Sequence, residues 1–213
     1  MDSAKEIARD MLEAMSMDDS GVVVSFVKGV IKLPYSLAYL GYDFIDTENR
    51  WKNFDDKLRF AELIKEGVFR RDIIGNVLSV FSDELTDRME MQGIFNQSAK
   101  LLASMAGSAI FTASTSVNLG RVITSGLLSS IFSGVAIGSL LYAGAEQSRA
   151  VYTSRALKDK NYRVYSKLRK AGNLDLLYFI VKDQVAPFER ACDIADSNPE
   201  EFKRVCEYFL GGL

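Results

Sequence analysis

Side chains able to do covalent or acid–base chemistry are sparse in this chain of 213 residues. It has no histidine, which removes the commonest general base, triad partner and zinc ligand. Ser25-Phe26-Val27-Lys28 has the SxxK spacing of a serine nucleophile beside a lysine base, but the sequence holds no Lys-Thr-Gly partner. The acid pairs Asp18-Asp19, Asp55-Asp56 and Glu200-Glu201 fall at expected loops or helix starts, where solvent or a helix dipole accounts for them. Cys192 and Cys206 are too few and too far apart for a metal site or a CxxC pair. They belong to two expected helices joined by Asp196-Ser197-Asn198-Pro199, where either a disulfide or two buried thiols would fit. GxSxG, Walker A and GxGxxG are absent. The sequence therefore gives the expectation of a protein that is not an enzyme, with no cofactor and no metal.

Cations are the next candidates. Arg155, Lys158, Lys160, Arg163, Lys167, Arg169 and Lys170 alternate with Tyr162, Val164, Tyr165 and Leu168, and only Asp159 opposes them. Such a stretch suits contact with anionic lipid headgroups, at about 1 kcal/mol per cation near the surface. A solvated helix face is the alternative. Acids outnumber bases before residue 100 and the net charge is −2, so no nucleic-acid partner is expected.

Residues 101–145 position these cations and carry a single charge, Arg121. Leu101–Val117 and Val122–Ala143 are two apolar segments joined by Asn118-Leu119-Gly120-Arg121. As a helix the second would run roughly 33 Å, enough for a bilayer core of about 30 Å; the first sits at the short limit. More than half of residues 101–145 are Gly, Ala, Ser or Thr. Ser104, Ser108, Thr112 and Ser116 recur at helical spacing, as do Gly126, Ser130, Gly134 and Gly138, ahead of Leu141. Small residues four apart let helices approach closely, and Gly134 with Gly138 forms a GxxxG pair. Three readings stay open: a helical pair inside a soluble bundle, a hairpin that enters a membrane conditionally, and two permanent spans.

Around the hairpin the pattern is helical throughout, with three prolines and no useful alternation of period two. Ser3 with Glu6 predicts a capping box opening a first helix over residues 2–16, with no signal peptide. Further helices are expected over Val22–Lys32, Tyr35–Ile45 and Phe54–Lys65, the last capped by Asn53 with Leu58, Ala61, Leu63 and Ile64 as its core stripe. Tyr35, Tyr39 and Tyr42 suit a core edge or a membrane–water boundary. Asp72–Phe81, Ser82–Met91, Gln147–Leu157, Tyr162–Ala171, Leu174–Val185, Phe188–Ala195 and Pro199–Leu210 complete the set. The expectation is an all-α fold: one domain over residues 1–213, a bundle of about ten helices around a central hydrophobic hairpin.

An all-helical domain of this size with one hydrophobic hairpin among amphipathic helices resembles the pore-forming domain of colicins. The resemblance covers most of the chain and is architectural, without a diagnostic motif. It implies a hairpin buried in the water-soluble state that enters the inner membrane and dissipates its potential. The chain departs from the family in one respect, since 68 residues follow Ala145 whereas the colicin hairpin lies close to the C-terminus. Asn118-Leu119-Gly120-Arg121 is also similar to the Asn-Trp-Gly-Arg signature of the apoptosis-regulator family, with Gly172-Asn173-Leu174-Asp175 as a faint second echo. Both tryptophans of those signatures are leucine here, no LxxxGD motif precedes them, and the first falls between apolar segments rather than opening one.

The functional expectation is a bacterial toxin or effector, made soluble in the bacterial cytoplasm, that inserts residues 101–145 into an anionic target membrane and depolarises it. An immunity or carrier protein would be a further partner, and the oligomeric state is open. The rival from another class is a non-enzymatic helical adaptor or neutralising partner whose hairpin stays in its core.

Overall fold

The computed structural model describes residues 3–16, 33–65, 71–94 and 136–212. The expected helix Val22–Lys32, the SxxK run and most of the hairpin lie outside them. Among the described residues the chain is all-α, with eight α-helices and one 3₁₀ turn. These are α1 (Ala4–Ser16), α2 (Leu33–Ile45), α3 (Arg50–Lys65), α4 (Arg71–Met91), α5 (Ala136–Lys160), α6 (Tyr162–Lys170), the turn Leu174–Leu177, α7 (Tyr178–Ser197) and α8 (Pro199–Gly211).

Several ends follow from local chemistry, the capping box at Ser3 as expected. The Ser3 backbone N–H donates to Glu6 Oε2 at 2.8 Å while Glu6 N–H donates to Ser3 Oγ at 3.3 Å, the reciprocal pair of a capping box. Asn161 caps α6 by accepting from Val164 N–H, and Asn198 caps α8 by accepting from Glu201 N–H, with Pro199 opening the helix.

Four expected boundaries are corrected, each because tertiary packing outweighs a local break signal. Asp72–Phe81 and Ser82–Met91 are one helix, α4, since Val77, Phe81, Leu85 and Met89 form a buried row at four-residue steps that runs past Ser82. Leu174–Val185 and Phe188–Ala195 become the 3₁₀ turn followed by α7, which runs through Pro187. Interior proline removes one helical hydrogen bond; here the ring is buried between Val185 and Phe188, and packing holds the helix on both sides. Asn53 does not cap α3, which begins at Arg50; its buried amide donates instead to Asp43 Oδ1 and Tyr152 Oη, both at 2.8 Å. The α3 stripe is likewise shifted: Phe60 and Leu63 are buried, whereas Leu58 and Ala61 are exposed.

The fourth correction bears on function. Val122–Ala143 and Gln147–Leu157 were expected as separate helices, yet residues 136–160 are one, α5, with no break at Gly144-Ala145-Glu146. From Ala145 onward α5 is the middle of the bundle. Ala145, Glu146, Ser148, Arg149, Ala150, Val151, Thr153, Ser154 and Leu157 are all buried, and α2, α3, α6, α7 and the 3₁₀ turn pack around it. Its Thr153 hydroxyl donates back to Arg149 C=O at 2.7 Å, satisfying a polar group that water does not reach. The main core continues through Leu176, Leu177, Val181 and Val185 to Phe202 and Val205 on α8, with α1 laid across α7 and α8.

Cys192 and Cys206 are free, buried thiols on α7 and α8. Burial pushes both up to about 12, from an ordinary value of 9.0. The native state thus keeps protons that the unfolded chain releases above pH 9. The stability this gives is complete below that pH and is lost as pH rises toward 12. A disulfide reagent such as DTNB should leave the native protein unmodified at pH 8 and titrate both cysteines once urea unfolds it; prompt native reaction would show the thiols to be accessible.

Candidate functional site

Of the expected hairpin residues, Leu101, Ser104, Ser108, Thr112, Val117, Asn118, Gly120, Arg121, Gly126, Ser130 and Gly134 lie outside the described residues. Gly138 and Leu141 fall in the first two turns of α5. Among the described residues no helix is long and apolar enough to cross a membrane.

The cations of α5 and α6 meet carboxylates brought from four other elements. Arg155 pairs with Asp56 of α3 at 2.8 Å, and Lys160 with Glu189 and Asp193 of α7 at 3.1 and 3.4 Å. Arg163 and Lys167 converge on α4, where Asp87 and the buried Glu84 receive both, Lys167 at 3.2 and 3.5 Å. Arg169 donates to Tyr165 Oη at 3.2 Å and stands 3.8 Å from Asp56 and 4.0 Å from Asp175. Lys158 lies over the Tyr165 ring at 5.9 Å, and Lys170 is exposed on the last turn of α6. The band is amphipathic as read, with Val164 and Leu168 buried beneath it.

At its deepest point the band reaches Asp175, which has no exposure. Its carboxylate accepts from Arg59 Nη2 at 2.7 Å and from Ser154 Oγ at 2.6 Å. Arg59 also donates to Asp56 and to Asn173 Oδ1. Burial opposes the charged guanidinium, but Asp175 and Asp56 more than offset it and raise its pKa. Gly172 and Asn173 both take positive φ, 103° and 63°, and this left-handed turn points the chain back so that Asp175 faces Arg59.

Above this pair opens a cleft of about 640 Å³ between the α2–α3 turn, α3, α5 and α6, with Lys52, Tyr152, Lys158, Tyr165 and Arg169 around it. Tyr152 Oη donates to Asp46 at 2.9 Å. Burial, then that carboxylate, raises the phenol above the ordinary tyrosine range, while the Asn49 side-chain bond leads in lowering the Asp46 pKa. The lining groups offer charge and stacking surface. Among the described residues no group of His, Cys, Asp or Glu is placed to hold a metal.

Sequence reading missed a second feature beside the cleft. Among the described residues most of the exposed large apolar side chains belong to α2 and α3: Leu37, Tyr42, Phe44, Ile45, Trp51, Phe54 and Leu58. Phe44 is 81 % exposed and Trp51 83 %. Trp51, Phe54 and Leu58 share one face of α3 at i, i+3 and i+7, opposite the buried Asn53, Phe60 and Leu63. The spacing was legible, but from sequence alone such a stripe is read as the core side.

Arg59→Met should destabilise the fold by about 3–5 kcal/mol, because it removes the guanidinium that donates to the buried Asp175 carboxylate and leaves only Arg169 at 4.0 Å. Adding Asp175→Asn should recover part of that loss, so urea titration of the double variant should give less than the sum of the singles. Strict additivity would mean the two groups do not act as a pair.

Comparison with known families, curated proteins and solved structures finds none that matches this chain.

Proposed function

We propose that this chain is a membrane-inserting protein of the pore-forming toxin or effector type, in which residues 101–145 enter an anionic target membrane and depolarise the cell. The observation that carries the reading is the continuity of α5. The last turns of the apolar segment Val122–Ala143 are also the first turns of the helix at the centre of the bundle. An apolar arm is thus joined, without a flexible linker at that end, to a fold rich in buried ion pairs that can hold its base.

Energetics favour a conditional arrangement. Removing an apolar segment of this size from water contributes on the order of tens of kcal/mol at about 25 cal/mol per Å², in protein or in lipid. Net stability is only about 5–15 kcal/mol. A small differential interaction with a charged membrane surface or with low pH then decides which environment holds it. In this reading Arg155, Lys160, Arg163 and Lys167 reach headgroups only after leaving their carboxylates, whereas Lys158 and Lys170 are exposed already. Arg121, if carried across, would oppose insertion by about 2.5–3.5 kcal/mol. The protein is made soluble in a bacterial cytoplasm and acts after delivery, and an immunity or carrier protein fits the same scheme.

The test is expression in bacteria with and without export to the periplasm, following membrane potential with a voltage-sensitive dye. Rapid depolarisation from one compartment is expected, abolished by Gly134→Glu with no loss of protein. Normal potential from both compartments, with abundant soluble protein, would overturn the reading in favour of a helical adaptor or neutralising partner.

A further inference from the structure

We draw no further inference here: the strongest candidate, the cleft between the α2–α3 turn, α3, α5 and α6, sets Lys52, Lys158 and Arg169 among Asp46, Asp55 and Asp159, a balance of charge that selects no class of ligand, and nothing in the structure shows what covers the apolar α2–α3 face beside it.

Discussion

An aspartate with no exposure to water dictates much of how this bundle closes. Desolvating a carboxylate costs several kcal/mol unless cations and hydroxyls replace the lost hydration, and the groups that do so for Asp175 come from α3 and α5. Arg59 must lie on α3 one turn beyond Asp56, and Ser154 must face inward from α5 between the apolar Ala150 and Leu157. The 3₁₀ turn must follow a left-handed Gly172-Asn173 to aim Asp175 at both. Fixing those three elements leaves Asp56 where Arg155 can reach it and brings Arg169 of α6 to the same carboxylates. The cleft opens directly above this network, and Asp56, Arg59, Arg155 and Arg169 are among its lining residues.

The same logic extends to α6. Its helix is short, nine residues, and strongly basic, and a helix of that length is marginal alone. Val164 and Leu168 seat it on the core, while Glu84 and Asp87 from α4 hold its outer cations. Glu84 is itself buried and also receives Arg88 one turn later. Interactions of this kind add little in exposed pairs, but here a buried carboxylate is shared by three cations, so removing any one leaves the others to satisfy it.

What the sequence made legible follows from the range of each signal. Caps are local, and Ser3 acts where its neighbours predict, whereas Asn53 is drawn into the helix interior by its bonds to Asp43 and Tyr152. The helical class was legible from periodicity. Break signals were also read locally, and there they misled: Ser82, Pro187 and Gly144 each invite a stop that long-range burial overrides. The basic residues of 155–170 were visible as a group, but their carboxylates are far away in the chain, Asp56 nearly a hundred residues before Arg155. Without that pairing, a band that ties helices together cannot be told from a free charged face. The apolar stripe at Trp51, Phe54 and Leu58 failed for the opposite reason. Its spacing is helical, and only burial reveals that Asn53, Phe60 and Leu63 occupy the inner side instead.

How firmly α5 is held in the core defines what membrane entry would demand of the bundle. Gly144 is half-buried, and among the described residues the Leu40 side chain lies near the position a Cβ would take, at 3.6 Å. One residue later Ala145 has no exposure, and Glu146, Ser148 and Arg149 are buried, Ser148 donating to Asp43 of α2 and Arg149 to Phe179 C=O of α7. α5 is therefore core from Ala145 onward, and the apolar sequence proposed to leave precedes it; the element packed beside Gly144 is α2. Entry of residues 101–143 would then disturb the α2 contact and leave the Asp175 and Glu84 networks intact. In the colicin-like scheme, by contrast, the outer helices must open before the hairpin is released. The Asp175 and Glu84 networks tie α3, α4, α5, α6 and the 3₁₀ turn to one another, so the entry proposed above would not require those elements to open.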